Sequence, residues 1–119
     1  MKDNNVIETK SFEFAVRTVN LFKYLTAEKQ EYVISKQLLR SGTSIGANIS
    51  EAQQAQSSSD FLSKMSISLK ESYESDYWLR LLKRTEYLNN DEYDSIISDC
   101  REIIKMLVSI IKTTKDNNK

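Results

Sequence analysis

Two carboxylates three residues apart, Glu71 and Glu74, are followed by Trp78, and a second polar row, Arg40, Ser44, Asn48 and Glu51, advances by four, four and three residues. On a helix each set occupies one face. Paired carboxylates invite a metal ion. Di-iron bundles, however, build their sites with a Glu-x-x-His motif on two helices, and the 119 residues contain no histidine. That removes the commonest metal ligand and the commonest general base together. What remains is a weakly held Mg2+ or Ca2+, or a network of ion pairs and hydrogen bonds joining Arg40, Ser44, Asn48 and Glu51 to Glu71, Glu74 and their neighbours Ser72 and Asp76. Such networks set the register of two helices more than they add stability. The expectation is the register network, with no metal and no cofactor.

The other reactive side chains read similarly. Cys100 falls on an apolar stripe, where a thiol is a small buried residue; a nucleophilic thiolate needs a basic partner and access. Tyr77 and Trp78 can stack on a base, but aromatics in a long helix more often serve the core or an interface. Arg80, Lys83 and Arg84 form the densest basic cluster. They complement the dipole at a helix C-terminus, or offer a patch to RNA. Nucleophile, base and orienting group cannot be assembled from these residues, so no enzyme is expected.

The composition sets the frame for these candidates. Lys+Arg and Asp+Glu are both 17, giving zero formal charge and a pI of about 6.3. That balance argues against a protein whose main business is gripping phosphate backbones. The length suits one domain. A single cysteine cannot form an internal disulfide and suits a reducing cytoplasm. No apolar run is long enough for a bilayer, and Met1–Asn5 lacks the hydrophobic segment of a secretory signal.

No proline interrupts the chain, so helix limits must come from caps and periodicity. Four helical segments follow. The first, about Thr9 to Leu25, repeats Phe12, Ala15, Val16, Val19 and Phe22 as its apolar face. Thr26 is then the expected N-cap of a second helix over about Ala27 to Ala55. Its stripe of Ile34, Leu38, Ser41, Ile45, Ile49 and Ala52 runs straight through Gly42 and Gly46, the only two glycines in the chain. Each costs roughly 1 kcal/mol relative to alanine inside a helix. They must therefore allow tight packing or a slight bend, or the close approach of a partner or ligand. Ser68, Ser72 and Ser75 form a small-residue row that can face them.

The third segment runs from Asp60, after a serine-rich break, to about Leu88. Its apolar residues lie on more than one face, as contacts on two sides require. Asn89 and Glu92 have capping-box spacing ahead of the last helix, about Asp91 to Thr113, which carries Ile96, Ile97, Cys100, Ile103, Ile104, Leu107 and Ile111. The ends, about 1–6 and 115–119, are expected to be loose. Helices of similar length with short connections pack against antiparallel neighbours, so the expected fold is all-α, an up-down-up-down four-helix bundle.

The strings Arg40-Ser41-Gly42-Thr43-Ser44-Ile45-Gly46-Ala47-Asn48-Ile49-Ser50-Glu51-Ala52, Ile67-Ser68-Leu69-Lys70-Glu71-Ser72 and Glu74-Ser75-Asp76-Tyr77-Trp78-Leu79-Arg80-Leu81-Leu82 resemble the bacterial four-helix-bundle family often labelled S23 ribosomal protein. That family is named for reading frames in intervening sequences of 23S rRNA genes. The chain is also similar to accessory variability proteins of diversity-generating retroelements. The resemblance implies a homopentameric ring around a central channel, and association with rRNA or with a reverse transcriptase and its RNA. Its nucleic-acid-binding members look basic; this chain is neutral. The leading expectation is a cytoplasmic, non-enzymatic ring that serves as scaffold or adaptor. The alternatives are an RNA-binding accessory protein and a carboxylate bundle that holds metal weakly.

Overall fold

A computed structural model describes residues 2–118, with side chains described from Asn5 onward. Four helices follow one another: α1 (Lys2–Ala27), α2 (Ile34–Ala52), α3 (Ser58–Arg84) and α4 (Asn90–Asn117). They form a bundle of 49 × 21 × 20 Å in which each helix packs against the next and α4 returns to α1. Residues that meet across each seam run in opposite senses. Gly42 and Gly46 lie against Thr18 and Ser11; Arg40 and Glu51 meet Glu74 and Lys64; Lys83 and Arg101 meet Tyr93 and Asp76. Neighbouring helices are therefore antiparallel. Phe14, Leu38, Ile45, Met65, Leu79, Leu82, Ile103 and Leu107 are all fully buried at the centre.

Both glycines lie inside α2, as the uninterrupted stripe requires. They face α1, however, and not the serine row of α3. A Cβ on Gly42 would stand 2.5 Å from the Thr18 methyl, and one on Gly46 would stand 3.2 Å from the Ser11 carbonyl oxygen. The serines of α3 meet a different side of α2, the one carrying Ser41 and Ile45.

The first helix also corrects its expected face. Ile7, Ser11, Phe14, Thr18 and Leu25 point inward, while Phe12 is 67% exposed and Val16 39%. The more apolar row faces outward because the inward row must include small Ser11 and Thr18 to meet the glycines. The helix starts seven residues before Thr9, at Lys2, with Ile7 wholly buried. At the other end α4 continues to Asn117, four residues beyond Thr113, and carries Lys115 in its last turn. Residues 2–6 and 115–117, expected to be loose, are helical; Met1 and Lys119 lie outside the described residues.

Thr26 does not cap α2. Its hydroxyl donates back to the carbonyls of Phe22 and Lys23 within α1. The chain instead turns through Gln30 at φ 55°, and α2 begins only at Ile34. The cap is Glu31, whose carboxylate accepts the backbone N–H groups of Val33, Ile34 and Ser35 at 3.1, 3.0 and 2.7 Å. Three otherwise unsatisfied donors at the helix start meet one anion there. Burial pushes the Glu31 carboxyl up, but the three N–H groups outweigh it and hold the group below the usual carboxylate range.

The third helix ends four residues before Leu88. Glu86 enters the left-handed region at φ 68°, with Tyr87 N–H bonded to Leu82 O and Glu86 N–H to Lys83 O. This is a Schellman stop, with glutamate in the place glycine usually takes. Leu88 still tucks into the core at 3% exposure. Ser57 caps α3 by accepting from Asp60 N–H. Asn89 and Glu92 form the expected reciprocal box at the start of α4.

Candidate functional site

The polar residues of α2 and α3 meet at two separate levels. At one, Arg40 donates to both oxygens of Glu71 at 3.4 Å and pairs with Glu74. The indole N–H of Trp78, one turn along α3, donates to the same Glu74 oxygen at 2.9 Å. Trp78 first, and Arg40 after it, hold the Glu74 carboxyl below its ordinary range; Glu74 in turn raises the Arg40 guanidinium. At the other level Glu51 pairs with Lys64 at 3.1 Å.

Ser44 and Asn48 lie between these levels but do not cross to α3. Ser44 donates to its own helix at Arg40 O, 2.7 Å, and Asn48 to Ser44 O, 2.8 Å. Of the six expected network residues, Arg40, Glu71 and Glu74 come together, Glu51 finds Lys64, and two remain local. Lys64 carried no sequence signal beyond its charge.

Buried hydroxyls line the inner side of the same helices. Ser41 and Ser75 share a hydrogen bond of 2.8 Å. Ser68 donates to Ile45 O and Ser72 to Ser68 O, both at 2.9 Å. Cys100 of α4 donates from Sγ to Ser72 O at 3.4 Å. Ser41, Ser68, Ser72, Ser75 and Cys100 are all fully buried. Among the described residues no buried side-chain polar atom lacks a partner. Burial pushes the Cys100 thiol up to about 12, which leaves it protonated and unreactive at neutral pH.

Asp76 turns away from α2 and toward α4, against expectation. It accepts from Arg80 at 2.8 Å and from Arg101 at 2.9 Å. Burial pushes its carboxyl up, and the two guanidinium groups outweigh that and hold it low. Glu71 and Glu74 are likewise turned on a cation, and among the described residues no group of three potential ligands is arranged to hold a metal ion. No helix among them is long and apolar enough to cross a membrane.

The basic cluster divides in the same way. Arg80 sits on Asp76 and 5.6 Å over the Tyr77 ring. Lys83 lies 5.8 Å over the ring of Tyr93 on α4, away from the outer surface. Arg84 stays exposed. The outer face of α3 thus carries Lys70, Tyr73, Tyr77, Arg80 and Arg84 at helical spacing, with Tyr73 53% and Tyr77 50% exposed. Tyr73, Lys70 and the separation of Lys83 were not legible as part of this surface.

A sequence-family model of the 23S rRNA-intervening sequence protein matches residues 3–109. The fold is also that of a 1.70 Å crystal structure from Bacteroides thetaiotaomicron VPI-5482, a protein with unknown function from the S23 ribosomal protein family. The two chains are 60% identical, with a TM-score of 0.91, over 92% of this chain and 98% of that one. Among curated proteins no match was found.

Proposed function

The chain belongs to the 23S rRNA-intervening sequence protein family, and from that premise we propose that it is a non-enzymatic bundle that assembles with copies of itself into a ring and acts as a scaffold for another macromolecule. The observation that carries this reading is the outward row on α1. Phe12 and Val16 are exposed, Val19 and Phe22 half-buried, and the core is already complete without them. Exposed apolar surface of this kind marks an interface more often than an idle face.

A second patch supports a heterologous contact. Val108 of α4, 44% exposed, lines an apolar groove with Leu69 of α3 and Ile111 of its own helix. Two unlike apolar patches on one chain suit head-to-tail association, which closes into a ring when the rotation permits; the number five comes from the family likeness. The Arg40–Glu71–Glu74–Trp78 cluster would hold α2 and α3 in register inside each subunit. The unreactive, unpaired Cys100 suits a reducing cytoplasm.

Sedimentation velocity at micromolar concentration tests the assembly. The wild type should sediment as one closed oligomer of about five chains, and a double variant Phe12→Glu, Val16→Glu should sediment as a folded monomer. A monomeric wild type overturns the reading.

A second reading, an RNA-binding accessory role, draws support from the outer face of α3. Two exposed tyrosine rings flanked by Lys70, Arg80 and Arg84 combine stacking surface with positive charge. Filter retention of single-stranded RNA at moderate salt should then fall on replacing Tyr73 and Tyr77 by alanine; absence of retention by the wild type ends this reading.

A further inference from the structure

Where the α1–α2 and α3–α4 loops meet at one end of the bundle, Tyr24, Lys29, Lys83, Tyr87 and Leu88 line a cleft of about 410 Å3 together with the first residues of α4. A second cleft of about 310 Å3 shares Tyr24, Leu88 and Glu92 and continues over Leu21 and Ile96 along the α1–α4 seam. Each volume lies in the range of small-molecule sites.

The two ammonium groups come from different elements, the α1–α2 loop and the last turn of α3. Lys29 stands 5.9 Å over the Tyr24 ring and Lys83 5.8 Å over the Tyr93 ring. Neither is in an ion pair among the described residues. Both ammonium groups therefore have only weakly held aromatic partners, which an incoming anion can outcompete. The cleft also contains two carboxylates. Glu92 turns its Oε1 on Asn89 N–H at 2.9 Å in the capping box, and Glu86 is exposed at the helix stop. Tyr24 and Tyr87, both half-buried, supply flat apolar wall beside the cations.

Lysines beside tyrosine wall match one chemistry, a phosphate joined to a planar ring. We infer that this cleft binds a nucleoside phosphate, with the phosphate between Lys29 and Lys83 and the base against Tyr24 and Tyr87. The site is distinct from the assembly reading and does not depend on it.

Isothermal titration calorimetry of the full chain at low salt, with AMP, adenosine, inorganic phosphate and a 5′-phosphorylated tetranucleotide, tests it. AMP should bind saturably, one per chain, at least about tenfold more tightly than adenosine or phosphate alone. Lys29→Glu and Lys83→Glu should each weaken AMP by about tenfold or more, while Lys105→Glu, exposed on α4 and outside the cleft, should leave it unchanged. A tetranucleotide that outbinds AMP identifies a strand end as the natural ligand, and equal binding identifies the free nucleotide; either supports the site. Amide shifts of Lys29, Glu86 and Asn90 in the wild type on adding AMP give the same answer if a variant fails to fold. No saturable AMP binding, binding indifferent to both charge reversals, or phosphate binding as tightly as AMP overturns the proposal.

Discussion

Gly42 of α2 lies so close to Thr18 of α1 that an added Cβ would stand 2.5 Å from the threonine methyl and 3.0 Å from its Cβ. Alanine in a helix interior gains about 1 kcal/mol over glycine, but here it would force a buried, β-branched side chain to move. Overpacking of this kind costs about 1–3 kcal/mol, so Gly42→Ala should lower the urea midpoint despite the better helix propensity. Gly46→Ala meets the Ser11 carbonyl at 3.2 Å and should cost less. Adding Thr18→Ser to Gly42→Ala removes the nearest atom and keeps the hydroxyl that bonds to Ala15 O; partial recovery of the midpoint is expected. A Gly42→Ala variant more stable than wild type would refute the contact.

The buried Glu31 carboxylate makes the start of α2 sensitive to acid. Its folded pKa lies below its ordinary value, so the stability it contributes is fully present above the ordinary carboxylate pKa of about 4.3. That contribution is lost as pH falls through the lower folded value. Asp76 and Glu74, also held low, act in the same direction. Glu31→Ala should cost about 2 kcal/mol at pH 7, as removal of a well-made cap does. It should also flatten the dependence of the unfolding free energy on pH below about 4.3. Equal acid sensitivity in wild type and variant would show that Glu31 is not a source of it.

These two sites mark where the sequence was readable and where it was not. The stripe from Leu38 to Ala52 could be followed through both glycines because a period near 3.6 admits no turn. The direction in which the glycines faced was hidden, since that depends on which helix lies alongside. On α1 the most apolar row, Phe12, Val16, Val19 and Phe22, was a misleading guide. The core row includes Ser11 and Thr18 because they must fit the glycines, and hydrophobicity alone ranks such a row second. Glu31 was unreadable as a cap because glutamate seldom takes that role and its chelation of three N–H groups needs the left-handed Gln30 before it. Arg40, Glu71 and Glu74 were legible as partners from spacing alone. Ser44 and Asn48 shared their face, yet their short side chains are satisfied by backbone one turn back.

Cys100 should be nearly inert in the folded protein. A thiol pushed up to about 12 holds roughly one part in ten thousand as thiolate at pH 8, and the group is fully buried. Alkylation by iodoacetamide at pH 8 should therefore proceed only through opening of the bundle and accelerate by orders of magnitude in denaturing urea. Fast labelling under native conditions, with far-UV circular dichroism unchanged, would place the thiol elsewhere than on the serine seam.

Phe12 and Phe14 are two residues apart and separate protomer stability from assembly. Phe14 is 1% exposed and among the largest fully buried side chains, whereas Phe12 is 67% exposed. Phe14→Ala should cost about 3–5 kcal/mol by leaving a cavity that close packing cannot fill. Phe12→Ala removes no core contact, so at concentrations below any association it should change the unfolding free energy by less than about 0.5 kcal/mol. If the outward row is an interface, the same Phe12→Ala should raise the concentration needed for assembly, read by sedimentation at matched loading. The stability measurement tests the face assigned to α1 and the sedimentation measurement tests its use. Phe12→Ala destabilising the monomer as much as Phe14→Ala would return the aromatic row to the core, and with it would go the case for a ring.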